Sequence, residues 1–283
     1  MTVERGYSYH TIYGYKKDIQ QFLTFIDQNE LDLENLTISQ LQRFIEYLVN
    51  QGFSATSIER KIAAIRTFFK FLYSHYNIRN NIAQLLEIPE KEETIPDVLT
   101  VEEVELLLQQ PDISTVKGLR DRTMMEFLYA TGVRVSEALN IRLYDIDLNE
   151  KIVRVSGKGK RERIIPFHDI AREFLERYIK EARPKILKGR QSNYLFLNMR
   201  GQRMSRIGFW KILKEYASRV GFASKVHPHV FRHTFATHML INGCDLRVLQ
   251  ELLGHASIST TQRYTQVNIS HLKEIHRKYH PRA

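Results

Sequence analysis

Six side chains after residue 130 have the types and spacing to act together on a phosphodiester: Arg134, Lys158, His229, Arg232, His255 and Tyr264. A guanidinium is planar and always charged, so two of them can grip several oxygens of one phosphate. A tyrosine hydroxyl, with a reference pKa of ~10, needs a neighbouring cation or base before it can attack phosphorus at neutral pH. No carboxylate pair accompanies the set to hold magnesium, and no glycine-rich loop of the nucleotide-hydrolase kind is present. The chemistry expected is therefore phosphoryl transfer without metal, nucleotide or other cofactor, its charge stabilised by fixed cations.

Each member also has a plainer reading when taken alone. Arg134 with Glu137 three positions on reads as a surface ion pair. The run Gly157-Lys158-Gly159-Lys160-Arg161-Glu162-Arg163 reads as a basic surface turn, and Tyr264 as one packing tyrosine among 14. His229 and His233, at i and i+4, resemble a zinc pair. A third ligand is missing nearby, and the helix lacks the glutamate that a metalloprotease helix requires, so no metal is expected. His229 and Arg232 share a face at a helix start, where free N–H groups suit an anion. His233 and His238 are read as packing or helix-side partners.

Helices, with one hairpin, must position these groups. In residues 1–88, Ser8 is a candidate cap for a helix using Ile12, Ile19, Phe22, Leu23 and Ile26. Thr37 and Gln40 form a capping box ahead of Leu41, Phe44, Ile45 and Leu48, with Gly52 as the stop. Ser54 caps a third helix carrying Ile58, Ile62, Ile65, Phe68, Phe69 and Leu72. Its other face holds Arg60, Lys61, Arg66 and Lys70, either a solvated face or a set of phosphate contacts. Residues 89–98, acidic and Pro-punctuated, read as a linker. In residues 99–283, Thr100 and Glu103 form a second capping box, and a helix from about Leu119 stops at Gly132. Lys151–Val155 and Arg163–Phe167 flank the basic turn as a β-hairpin. Helical patterns follow over 169–183, 205–219, 229–241 and 245–253, and again from about Asn268.

The chain has 283 residues and a formal net charge of +10. Residues 1–88 are balanced at 9 basic and 9 acidic, residues 89–98 carry 1 and 4, and residues 99–283 carry 32 and 19. The excess thus belongs to the segment that holds the six candidates, and it points to a polyanion such as nucleic acid. A hydrophobic content of 43% excludes wholesale disorder. No run approaches the ~18 apolar residues of a membrane span, and Met1–His10 lacks the apolar stretch of a signal peptide. One cysteine, Cys244, excludes a disulfide scaffold and suits a reducing cytosol, so a cytoplasmic protein without membrane partners is expected.

The runs ATGVRVSE, GKGKRER, HPHVFRHTFATHML, LGHASISTTQRYT and the terminal HPRA resemble the Xer branch of the tyrosine site-specific recombinases. The intervals agree: 24 positions from Arg134 to Lys158, 3 from His229 to Arg232, 26 from His229 to His255 and 9 from His255 to Tyr264. Phe231 stands where leucine is more usual and Lys160 where a small polar residue is common; neither removes a reacting group. The resemblance covers nearly the whole chain, more weakly before residue 99.

That resemblance implies a mainly α fold with a small β component. An N-terminal helical core-binding domain (1–88) would join through a linker (89–98) to a catalytic domain (99–283), the two closing as a clamp on double-stranded DNA. It implies that Arg134 and Arg232 clamp the scissile phosphate, that Lys158 protonates the departing 5′ oxygen, and that His229 helps accept the tyrosine proton. His255 would bond a phosphate oxygen and Tyr264 would attack, with Glu137 orienting Arg134. Lys160 and Arg161 would join Arg60, Lys61, Arg66 and Lys70 as DNA contacts. Four protomers would assemble on two specific sites, with a paired Xer recombinase or a DNA translocase as further partners. The last helix, through Ile269, Leu272 and Ile275, would dock into a neighbour. Resolution of chromosome dimers at a dif-like site is the expected task. The alternatives are a plasmid or phage integrase, a type IB topoisomerase, and, in a different class, a non-catalytic DNA-binding protein on the same scaffold.

Overall fold

The computed structural model describes residues 9–76, 82–86, 98–157, 162–254 and 266–283. Its architecture is mainly α with a small antiparallel sheet, and the chain forms two compact units, Met1–Thr94 and Ile95–Ala283. The candidate cap Ser8 lies outside the described residues.

In the first unit, α1 (Tyr9–Gln28), α2 (Ile38–Asn50) and α3 (Ala55–His75) are followed by a short 3₁₀ turn, Ile82–Leu85. Helix α2 opens on the expected box: the Thr37 side chain accepts from the Gln40 N–H, and the Gln40 side chain accepts from the Thr37 N–H. Ser54 caps α3 through the Ser57 N–H. The apolar stripes meet in one core in which Phe22, Phe44 and Phe69 are wholly buried. Phe22 meets the other two rings edge-on, at 5.2 and 6.1 Å. Each such ring contributes about 1.5–3 kcal/mol by burial.

The four α3 cations do not form one free face. Lys61 is only 5% exposed and bonds Asp18 at 3.0 Å. It lies three positions from Ile58 and four from Ile65, which puts it on the buried side of the helix. Arg60 also pairs with Asp18, and Arg66 donates to the Ala83 and Leu86 carbonyls. Lys70 is exposed. The reading of Lys61 as a phosphate contact is therefore corrected: its ammonium is consumed inside the unit.

The second unit is built around α5 (Val116–Thr131), preceded by α4 (Val101–Gln109). Thr100 and Glu103 form the expected box on α4. Helix α5 starts one turn earlier than its hydrophobic pattern suggests, because Thr115 caps it through the Gly118 N–H. Every residue from Gly118 to Thr131 is buried. Its charged members are paired inside: Arg120 with Asp121, and Arg122 with Glu126.

A one-turn helix, α6 (Val135–Ala138), leads to three strands, β1 (Ile146–Asp147), β2 (Ile152–Ser156) and β3 (Glu162–Pro166). They pair antiparallel in the order β1-β2-β3, with Ser156 opposite Glu162 and Val155 opposite Arg163. The expected hairpin is thus present, and β1 adds a short strand that no alternation signalled. Beyond it come α7 (Asp169–Arg177), a π turn at Tyr178–Ala182, α8 (Arg183–Leu187), α9 (Arg206–Arg219), α10 (Val230–Ile241) and α11 (Leu246–Leu253). The last helix is α12 (Gln266–Tyr279).

Helix α12 packs on its own domain. Leu272 is 3% exposed within the domain core, and Ile275 packs against the same core. His276 donates from Nε2 to the Ala130 carbonyl at 2.7 Å, and His280 likewise to Tyr129 at 3.2 Å. Arg282 bonds Glu126 at 2.9 Å. Within the single chain, the face of α12 that carries Leu272 and Ile275 is covered by the domain's own core.

Candidate active site

The site grows from the end of α5. Gly132 closes this helix in the left-handed region, at φ +59°, and its N–H returns to the Leu128 carbonyl. A Cβ at this position would lie 2.3 Å from a Phe235 ring carbon, so the turn needs glycine twice over, for its dihedral and for its room. The chain leaves the turn through Val133 and delivers Arg134 as the residue before α6.

Glu137 fixes Arg134. One carboxylate oxygen accepts from the Arg134 backbone N–H at 2.9 Å and the other from its Nη1 at 3.0 Å. The backbone bond is half of a capping box, with the carboxylate on the third residue of the helix. The Arg134 side chain remains 38% exposed, whereas Glu137 is buried.

Glu137 has a second partner that the sequence reading did not single out. Arg163, on β3, donates to it through Nη1 at 3.1 Å and Nη2 at 2.8 Å. Each Glu137 oxygen therefore accepts two bonds. Burial alone would raise the Glu137 carboxyl; the Arg163 hydrogen bonds and charge, with those of Arg134, hold it below its ordinary value. A signal for Arg163 was present. It shares a strand face with Ile165, so the two-residue alternation puts a cation at a core position.

Arg232 enters from α10 and is 8% exposed. Its Nη1 donates to the Gly132 carbonyl at 3.0 Å and its Nη2 to the Leu253 carbonyl at 2.9 Å. Burial, and then the Arg134 charge, pull its pKa down to about 10, so it remains cationic at neutral pH. Arg134 and Arg163 both bond Glu137, whereas Arg232 bonds two carbonyls, so three guanidinium charges stand against one described carboxylate. Two positive charges are left over among these groups, the condition for holding an anion.

His229 stands one turn before Arg232, at the N-cap of α10, and is exposed. Its backbone N–H, expected to be free for an anion, is taken by His227 Nδ1 at 3.2 Å. Partial desolvation of the ring beside its neighbours, followed by the charges of His233 and Arg232, holds its imidazole below the usual histidine pKa. His238 bonds the buried Tyr129 hydroxyl at 2.8 Å, a packing role as expected, and His233 is exposed. Among the described residues, no group of three or more His, Cys, Asp or Glu is placed to hold a metal ion.

The structure thus brings Arg134, Glu137, Arg232 and His229 to one end of the domain and adds Arg163. Lys158, Lys160 and Arg161 fall in the connection between β2 and β3, and His255 and Tyr264 between Gly254 and α12; all five lie outside the described residues.

Comparison with known proteins agrees across the chain. Residues 97–271 match the phage integrase family, and residues 1–75 match the phage integrase N-terminal SAM-like domain. Tyrosine recombinase XerD of Staphylococcus saprophyticus is 42% identical over 282 residues, covering 99% of this chain and 96% of that protein. Tyrosine recombinase XerD of Listeria monocytogenes serotype 4b is 43% identical over 286 residues, covering 100% and 96%. A solved XerH site-specific recombinase bound to difH substrate has the same fold, with a TM-score of 0.71 at 22% identity, covering 92% of this chain and 78% of that one. The chain belongs to the phage integrase family, as a tyrosine recombinase of the Xer type.

Proposed function

We propose that this enzyme cuts and rejoins duplex DNA at a specific site through a 3′-phosphotyrosyl intermediate and resolves chromosome dimers at a dif-like sequence before cell division. The observation that carries the reading is the pair of anchored arginines with two uncompensated positive charges, in a chain whose Xer relatives match it along its whole length.

In this scheme Arg134 and Arg232 hold the non-bridging oxygens of the scissile phosphate, joined by His255. The Tyr264 oxygen bonds to phosphorus as the bond to the 5′ oxygen breaks. The phenolic proton goes toward His229, and Lys158 gives a proton to the departing 5′ oxygen. The phosphodiester is exchanged for a phosphotyrosyl ester, so its bond energy is retained and no cofactor is needed. A 5′ hydroxyl from the partner strand then reverses the step. The charge excess suits the second negative charge that develops at phosphorus as the tyrosine oxygen adds.

Residues 1–88 act as the core-binding domain, 89–98 as the linker and 99–283 as the catalytic domain, clamped on DNA. Lys70, Lys160 and Arg161 supply phosphate contacts, as does whatever part of Arg60 and Arg66 faces outward. Strand exchange takes four protomers on two sites, in the cytoplasm, with a second Xer recombinase or a DNA translocase as further partners. Among the described residues, no helix is long and apolar enough to cross a membrane.

The test is covalent capture on a nicked suicide duplex carrying a dif-like site. The wild-type chain forms a protein–DNA adduct and Tyr264→Phe forms none. An equal adduct from the phenylalanine variant would falsify the assignment of the nucleophile.

A further inference from the structure

Resting on the function proposed above, we infer that Arg163 is a positioning residue for the phosphate clamp, acting through Glu137 on Arg134 and through the end of α11 on the strand–helix junction that Arg232 also grips. Two contacts of one guanidinium carry this. Its outer nitrogens span both oxygens of Glu137. Its Nε donates to the Leu252 carbonyl at 2.9 Å. Arg232 takes the next carbonyl, that of Leu253, and with its other nitrogen the Gly132 carbonyl two residues before Arg134.

The contacts form a closed circuit. It runs from Arg134 to Glu137, on to Arg163, across the last turn of α11 to Arg232, and back through Gly132 to Arg134. Arg163 is buried, and each of its three guanidinium nitrogens donates to a protein group, two to Glu137 and one to the Leu252 carbonyl. With all three nitrogens engaged, its effect on the reaction passes through these partners. The helix end it holds is closely fitted: Gly254 sits at φ +67°, and a Cβ there would come within 3.1 Å of the Arg163 Nε and Cζ.

Removing the guanidinium leaves a buried carboxylate with Arg134 as its remaining cation. Glu137 then competes with the phosphate for Arg134, drawing the guanidinium inward and cancelling part of its charge. Lysine cannot substitute, because one ammonium cannot span two carboxylate oxygens and a carbonyl in the planar fork that arginine offers.

The experiment uses the full chain and the suicide duplex in two forms, one with an ordinary scissile phosphodiester and one with a methylphosphonate, which lacks one anionic oxygen and leans less on cationic stabilisation. Arg163→Lys at saturating DNA is expected to cleave the phosphodiester slower by on the order of 10–100-fold. Its DNA affinity stays within about threefold of wild type, and its deficit on the methylphosphonate shrinks to about threefold or less, because the clamp matters less there. Equal rates on the phosphodiester, an equal loss on both linkages, or a loss confined to affinity would each overturn the inference. The double variant Arg163→Met with Glu137→Gln removes both buried charges together and preserves folding if Arg163→Lys unfolds. It too is expected to be slow, and wild-type cleavage by it sinks the proposal. A wild-type chain that makes no adduct overturns the proposed function and this inference with it, whereas a wild-type adduct matched by Arg163→Lys overturns only the inference.

Discussion

At the scale of single residues, Gly132 is the position where stability and geometry are least separable. Gly132→Ala forces an L side chain into the left-handed region, at about 1–2 kcal/mol, and drives its methyl into the Phe235 ring. Urea unfolding should show a loss of at least that size, and a midpoint equal to wild type would refute the account. Arg134, His229 and Arg232 stood out because they sit in short polar runs, and the structure places Arg134 beside Glu137 and Arg232 on the carbonyl of Gly132, two residues before Arg134. Arg163 was harder to see. Its carboxylate partner is 26 residues away, and an arginine beside a basic turn reads as one more surface cation until the strand register points it inward. Lys61 misled in the same way: a cation between Ile58 and Ile65 belongs to the apolar face, and Asp18, 43 residues earlier, is what makes its burial possible.

At the scale of elements, the caps were the most readable features, since a Thr with Gln or Glu three residues on is a local event that tertiary structure seldom overrides. The π turn at Tyr178–Ala182 and the two-residue β1 had no such signal, being set by neighbours distant in sequence. The docking of α12 was equally hidden. Its heptad of polar and apolar residues does not say whose surface it covers. In this structure His276 and His280 cap two α5 carbonyls, with rings stacked 4.8 Å apart, and His168 lies 4.8 Å from His280. Burial holds His276 at a pKa of about 4, and burial with the His276 and Arg282 charges holds His168 near about 3. His280 is pushed well down by burial and by its two histidine neighbours. Asp169 pulls the other way on His168, more weakly. The three are therefore neutral when folded and near 6.5 when unfolded. Above about pH 6.5 they cost nothing. As pH falls below that value the unfolded chain binds protons that the cluster refuses, and stability drops by up to about 1.4 kcal/mol per pH unit per histidine. Denaturant unfolding at pH 7.5 and 5.5 should show this loss, and His280→Gln should flatten it. A variant with the wild-type slope would remove the cluster as the cause.

At the scale of the whole molecule, the charge is divided by task. The first unit holds a core of phenylalanines under a balanced surface, and its cations partly serve its own carboxylate and carbonyls. The second carries the excess, 32 basic against 19 acidic residues from 99 onward. An excess of this kind gives salt-sensitive affinity for DNA, whereas Arg134 and Arg232 are held by bonds to Glu137 and to the Gly132 and Leu253 carbonyls. Two spare positive charges among these arginines attract any small tetrahedral oxyanion as well as a scissile phosphate. Replacing chloride with sulfate at constant ionic strength should slow adduct formation while leaving duplex affinity largely unchanged; an equal effect of the two salts would show that the surplus is neutralised from within. Inorganic phosphate, the commonest such ion in a cell, would then act as a standing competitor, and the enzyme's working rate would follow the phosphate level of its surroundings as well as the supply of its DNA site.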